Sequence, residues 1–430
     1  MNHDDLAARR ILNALRHGQL SRREAFKALT TAGLSLAAMR VLGGSAWADA
    51  AGTASGPGGV PLARPNRPVT LPVFQDPIKS GLKPETGGTF NIFNYADYVD
   101  QKLIEAFAKK YDVDVRVTTF DSMDQAITKL SAKMVRNMDV MTVISSRIGQ
   151  AAAGKLVQPI NKDYIPNLAK NVWPQFQSPF YDVGAKYGVP YTIYTTGIGW
   201  RSDKVAEDIH KMDNPWSIFW QSEKYKGYVA VLDDSREALA MAMLYRGQYD
   251  INTEDPAIID KALQDLLELV HICNVKVNIT SYQTLPEGSC WLAHSWSGNL
   301  LSGVFAYMPK GGDPTTLQYW CPPVGKGPIQ NDMWVVCASS TKPVLAHLWL
   351  NFIIDNDNAY HNFVDFNGYQ PPINAITPES LVSSKLIPDN LKTAIMTPAQ
   401  LSSDSLQEGA LTDAGLKRWQ SDYARFTSGG

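Results

Sequence analysis

Beyond Thr89 the apolar residues of this chain fall into short runs separated by longer amphipathic stretches, the texture of strands alternating with helices. Phe90–Asn94 reads as a strand, and Val99–Lys110 as a helix with Leu103, Ile104 and Phe107 along one face. Val113–Phe120 has apolar residues at alternate positions and predicts a second strand, followed by an amphipathic helix over Asp124–Val135 and a strand over Val140–Ile144. Strand, helix, strand, helix, strand at this spacing predicts an open α/β sheet, because parallel neighbours need a crossover of helical length between them.

The same texture returns further on. Tyr228–Leu232 reads as a strand, Glu237–Tyr245 as a helix, and Pro256–Ile272 as a long helix with Leu263, Leu266, Leu267 and Val270 on one face, so a second α/β unit is expected. Tyr187–Trp200, extended and rich in Tyr, Thr and Gly, fits a crossing from one unit to the other, and Asp332–Cys337 fits the return.

Ahead of the first strand, the stretch from Gly52 to about Pro84 carries prolines at positions 57, 61, 65, 68, 72, 77 and 84, which predicts an extended arm and not a domain. Its patch Val69–Phe74 is apolar enough to lie along the body. Further forward, Ser21-Arg22-Arg23-Glu24-Ala25-Phe26-Lys27 leads into the weakly apolar Ala28–Met39 and then Ala46-Trp47-Ala48. A paired guanidinium, an apolar segment too short to span a bilayer and a small-x-small site together predict a twin-arginine export signal over 1–48, cleaved after Ala48 or Ala50. A basic amphipathic helix is the plainer reading of the same residues. The export reading places the working protein in the periplasm, and with no cysteine near the cleavage site to carry a lipid it predicts a soluble one.

Without its first 48 residues the chain holds 33 Lys and Arg against 39 Asp and Glu, a formal charge of about −6. That is a poor balance for nucleic acid and suits a cationic small ligand. About 380 residues are enough for two domains. Cys273, Cys290, Cys321 and Cys337 allow three pairings and show no C-x-x-C spacing; with no H-E-x-x-H and no glycine-rich phosphate loop after a strand, no cofactor or metal is expected.

Seven pieces occur in order: Phe93-Asn94-Tyr95-Ala96-Asp97-Tyr98-Val99, Gly188-Val189-Pro190-Tyr191, Trp216 with Phe219-Trp220, Tyr225-Lys226-Gly227, Leu232-Asp233-Asp234-Ser235-Arg236-Glu237, Ser295-Trp296-Ser297-Gly298 and Asn367-Gly368-Tyr369. In these the chain resembles the periplasmic polyamine-binding proteins of ABC transporters, from about Gly88 to the C-terminus. The resemblance implies a two-lobed periplasmic binding protein of type II, each lobe an open mixed β-sheet flanked by helices. Lobe 1 would comprise 87–199 and 332–377, lobe 2 200–331 and 378–430, with the arm over 49–86. It further implies a monomer that captures spermidine or putrescine in the inter-lobe cleft, closes on it and is recognised by an inner-membrane permease, with no catalysis.

A polyamine is an aliphatic chain interrupted by ammonium groups, so its site needs aromatic faces for methylenes and carboxylates for charges. Tyr95, Tyr98, Trp296 and Tyr369 are the expected aromatic residues; Asp234, Glu237 and Asp332 are the expected ammonium ligands; Gln407 fits a glutamine that bonds a ligand amine. Asp234 and Glu237 also have the spacing of a capping box, and the two roles can coexist. Arg236 between them reads as a surface ion-pair partner. The chain departs from the pattern at Gln330-Asn331-Asp332, where the aromatic residue two positions upstream is missing, and at Ser145-Ser146-Arg147, a possible cleft mouth, where no aromatic stands. If Arg147 pointed inward it would favour a ligand carrying a carboxylate or phosphonate, so a zwitterionic or other small amine is the alternative, as is a periplasmic amine sensor. A periplasmic hydrolase is the remote alternative: there is no G-x-S-x-G elbow, and the seven histidines form no motif with a neighbouring acid. Binding of ferric ion by paired tyrosines is disfavoured because no Tyr-Tyr occurs.

Overall fold

The computed structural model describes residues 55–429, so the export signal predicted over 1–48 lies outside the described residues. Among the described residues eleven strands form the sheet. They are β1 (Thr89–Asn94), β2 (Asp114–Thr119), β3 (Val140–Ile144), β4 (Val157–Gln158), β5 (Gly188–Arg201), β6 (Val229–Val231), β7 (Lys276–Val277), β8 (Leu292–Trp296), β9 (Leu317–Trp320), β10 (Pro328–Cys337) and β11 (Leu406–Gln407). The order is β2-β1-β3-β10-β5-β8-β6-β7, with β4 and β11 on β10 and β9 on β5.

Two parallel triplets stand at the ends of that order. β1 pairs in parallel with β2 and β3, and β6 with β7 and β8. β5 and β10 join them. Gly188–Thr195 runs antiparallel to Ile329–Val335, and beyond Thr195 the same β5 strand turns its edges to β8 and β9. A single long strand thus belongs to both halves of the sheet, every residue from Gly188 to Trp200 buried.

The helices form where caps and apolar stripes coincide. Gln101–Tyr111 begins at Asp100, whose side chain accepts from the Lys102 N–H, and stops at Asp112 in the left-handed region. Its stripe of Leu103, Ile104 and Phe107 is buried, and Phe107 packs edge-on to Trp349 at 5.0 Å. Pro256–Cys273 starts after the Asp255 cap and stops at left-handed Asn274. Its buried face is Ile259, Ala262, Leu263, Leu266, Leu269 and Cys273, while the predicted Leu267 and Val270 are only partly covered. β2 departs further from expectation: as the edge strand it buries no residue fully, and Val117 is exposed. The four cysteines are free thiols, three of them buried.

The proline-rich arm, described from Ser55, packs on the body. Val60, Leu62, Ala63, Val69 and Leu71 are buried, whereas Val73 and Phe74, counted in the predicted apolar patch, are exposed. Val69 forms a two-way backbone pairing, donating to Phe180 O at 2.7 Å and accepting from the Val183 N–H at 3.0 Å. Glu85 at its end accepts from the amides of Val344 (3.2 Å) and Leu345 (2.8 Å), capping the Pro343–Ile353 helix. Among the described residues no helix is long and apolar enough to cross a membrane.

Candidate functional site

The expected site residues gather where the parallel strands end, the place open α/β sheets reserve for ligands. Tyr95 and Tyr98 follow β1, Ser145 to Arg147 follow β3, Asp234 and Glu237 follow β6, and Trp296 closes β8. The turn after β1 is held from both sides. Asn94 Oδ1 accepts from the Tyr95 amide (2.8 Å) and Thr142 Oγ1 (2.7 Å), and the Tyr98 carbonyl accepts from the Asn362 and Asn367 amides and the Tyr191 hydroxyl. Asn367 also accepts from the Tyr369 N–H at 2.8 Å, so Tyr369 is set by the residues that set Tyr98.

Asp332 enters from β10. β5 and β10 slip register between Asp332 and Met333, leaving Asp332 opposite Thr192 and Met333 opposite Pro190. Such a bulge re-aims a side chain without changing the strand. The Asp332 carboxylate accepts from the Tyr98 hydroxyl and lies 3.4 Å from Thr192 Oγ1 and 3.5 Å from the Tyr194 hydroxyl. Burial raises this carboxyl to about 6 despite those donors. Around it the rings meet edge to face: Tyr98 with Tyr95 at 5.8 Å and Tyr369 at 5.9 Å, Tyr194 with Tyr369 at 5.4 Å and Trp296 at 5.9 Å.

The second-half acids sit on the turn into the Ser235–Tyr245 helix. Asp234 is its N-cap, Oδ1 accepting from the amides of Arg236 (2.8 Å) and Glu237 (3.0 Å). The reciprocal half of a capping box is not made: Glu237 turns inward, 1% exposed. Its Oε1 accepts from Thr196 Oγ1 (2.7 Å), Trp296 Nε1 (2.7 Å) and the Gln330 amide, while Oε2 has no hydrogen-bond partner among the described residues. Burial, with the Asp234 charge second, pushes the Glu237 carboxyl up to about 8; burial and Glu408 push Asp234 up to about 6.

Arg236 and Gln407 stand differently from expectation. Arg236 is not on the surface: its side chain is 10% exposed, lies 4.7 Å over the Trp419 ring, donates to Gly409 O, Ile251 O and Asn252 Oδ1, and stands 3.8 Å from Glu408. Gln407 turns its amide to Ser405 Oγ at 2.9 Å. Arg147 pairs with Asp124 and Gln150, and Ser146 donates to Glu408 Oε1 at 2.7 Å. Glu408, buried and absent from the sequence prediction, is thus a fourth acid near the site, and its charge bears on Tyr95, Asp234, Glu237 and Asp332. Thr192, Tyr194 and Thr196 were missed too, their only signal being membership of the first crossing strand; Gln330 was marked only as part of a departure from the family pattern.

Residues 102–388 match the family model of bacterial extracellular solute-binding proteins. The chain belongs to that family. Among its relatives, this solute-binding protein is 27% identical over 307 residues to the spermidine/putrescine-binding periplasmic protein of Salmonella typhimurium, covering 70% of this chain and 83% of that one. It is 25% identical over 317 residues to the putrescine/cadaverine-binding protein of Pseudomonas aeruginosa, covering 71% and 87%. The solved spermidine/putrescine ABC transporter substrate-binding protein of Streptococcus pneumoniae superposes with a TM-score of 0.60 at 21% identity, over 80% of this chain and 99% of that one, which shows the shared fold.

Proposed function

We propose that this solute-binding protein is the periplasmic component of an ABC importer and captures a polyamine, spermidine or putrescine, between its two halves. The observation that carries the reading is Glu237: a carboxylate buried among Thr196, Trp296 and Gln330 that keeps one oxygen without a donor. An uncompensated buried carboxylate costs several kcal/mol, so Asp234, Glu237 and Asp332 together call for a cation between them. Tyr95, Tyr98, Trp296 and Tyr369 would cover its methylenes. The names of the relatives point to the same ligand class. A zwitterionic ligand is less well served, because Arg147 is already paired with Asp124, and Arg236 with Glu408 and backbone carbonyls.

In this reading, the part formed by 87–199 and 332–377 closes on that formed by 200–331 and 378–430, with β5 and β10 as the crossings. The closed monomer is what the permease recognises. Export is by the twin-arginine route, supported by Arg22-Arg23 and the apolar segment after them. Replacing both arginines by lysine should retain the protein in the cytoplasm; undiminished export would remove that part.

The deciding experiment is calorimetric titration of the ligand-stripped protein with spermidine, putrescine and 2-aminoethylphosphonate. Tight one-site binding of either polyamine is expected. Heat from the phosphonate alone would overturn the polyamine reading and leave the fold assignment untouched.

A further inference from the structure

We propose that the proline-rich arm is a third wall of the ligand cleft, a strap whose tip, residues 55–64, closes the mouth between the halves and sets the rate of ligand exchange. The inference rests on the cleft being the ligand site, and the arm lies outside the residues that match the family model.

A cavity of about 30 Å³ is lined by Ser145, Ser146 and Arg147, the residues expected at the cleft mouth. Its floor and sides come from both halves, Ser145 to Gln150 from the first and Arg236 with Gly409 to Leu411 from the second, and its remaining wall is the arm from Gly56 to Leu71. Two lining residues tie this cavity to the buried acid Glu408: Ser146 donates to it at 2.7 Å and Arg236 stands 3.8 Å from it.

The tip touches both halves at van der Waals distance. On the first half, Val60 is packed so closely on the Ile148–Ala153 helix that a Cβ on Gly149 would stand 3.3 Å from Val60 Cγ1, and Gly58, at φ +76°, has its α-carbon hydrogens against Ala153. On the second half, a Cβ on Gly56 would meet Leu411 O at 3.3 Å, and Arg64 Nη1 donates to Ala410 O at 2.9 Å while also bonding its own Ala63 carbonyl at 2.7 Å. Gly409 lacks the side chain that would collide with the Arg64 guanidinium. Burial, and the charge of Arg236, lower the Arg64 pKa to about 10, which marks a guanidinium drawn out of water to make this contact.

Downstream of the tip every anchor is on the first half: Val69 with Phe180 and Val183, Tyr187 donating to Pro72 O, Glu85 on the Pro343–Ile353 helix. Beyond its tip the arm is therefore fastened to the first half. Its tip, held by the Ile148–Ala153 helix on one side and by Ala410 and Leu411 on the other, must give up one of the two whenever the halves separate. The tip is not the extended chain expected of this stretch: Pro57–Gly59 forms a single turn, Ser55 bridges Pro61 and Arg64 bridges Arg67, so the tip is held in shape by its own backbone bonds and little chain entropy opposes its return. A wall that must lift for the ligand to enter and to leave slows both steps and alters their ratio less.

The test uses Arg64→Ala and, separately, deletion of 55–64 with Val69 and all later anchors kept. Stopped-flow tyrosine and tryptophan fluorescence with spermidine and putrescine should show association and dissociation each faster by at least about tenfold, with Kd changing less than either rate. Small-angle scattering of the ligand-free variants should show a larger radius of gyration than the parent, a readout independent of ligand identity. Unchanged rates and unchanged scattering would overturn the strap. If the parent bound neither polyamine, the polyamine reading would fall and scattering alone would decide the strap: an expanded variant supports it, an unexpanded one overturns it.

Discussion

Glu237 Oε2 stands 3.9 Å from His294 Nε2, and neither atom has a hydrogen-bond partner among the described residues, although both side chains are 1% exposed. Burial holds the His294 imidazole down at about 3, so it is neutral and offers Glu237 no positive charge. The other carboxylate oxygen is fully engaged by Thr196, Trp296 and Gln330. An acid held this way favours its protonated form until a cation arrives.

That preference gives the protein a pH dependence of definite sign. Glu237 is raised from 4.5 to about 8, and Asp234 and Asp332 from 3.8 to about 6, burial being the leading cause in each. A carboxyl that ionises less readily in the folded chain than in the unfolded one stabilises the fold below its ordinary value, and that contribution is lost as pH rises through the folded value. The Tm of the ligand-free protein should therefore fall as pH is raised from about 4 to about 8. A bound ammonium group drives the proton off, so spermidine titrated near neutral pH in buffers of different ionisation enthalpy should release protons. A flat Tm profile and buffer-independent heats would mean the acids are already ionised.

Glu237→Gln keeps the shape of the protonated acid and removes the charge a cation would meet. Polyamine affinity should fall at least about tenfold, or about 1.4 kcal/mol, while the Tm of the ligand-free protein near neutral pH stays close to that of the parent. Unchanged affinity with a lowered Tm would give Glu237 a purely structural role.

Gly298 lets the Tyr369 ring approach its backbone: a Cβ there would lie 2.6 Å from Tyr369 Cδ1. Gly298→Ala must push that ring off its edge contacts with Tyr98 and Tyr194 and off its 2.7 Å bond to Asn299 Oδ1. Overpacking of this kind costs about 1–3 kcal/mol. Melting should register it as a lower Tm, and calorimetry as weaker polyamine binding. A lower Tm with full affinity would take Tyr369 out of the ligand's wall.

The aromatic residues and carboxylates were legible because they lie in local signals: a tyrosine pair after a strand, a strand-to-helix turn ending Asp-Asp-Ser-Arg-Glu, a Gly-bounded tyrosine. Glu408 was not legible. It is far from Ser146 and Arg236 in sequence and follows a two-residue strand, too short for any period to mark. Arg236 was misplaced for a related reason. Helical spacing puts it next to an N-cap, but only the packing of the Asp413–Thr427 helix brings Trp419 over its guanidinium.

The sequence by itself determined the alternation of strand and helix, the two α/β units and the residue types gathered in the candidate site, because each depends on neighbours within one turn or one strand. Tertiary structure alone decided which side chains meet. The bulge between β5 and β10 turns Asp332 toward Tyr98, the β5 and β10 crossings deliver Thr196 and Gln330 to Glu237, and the arm reaches Ala410 across the mouth. Those contacts join residues distant along the chain, where sheet register and burial select the partner and no local pattern can.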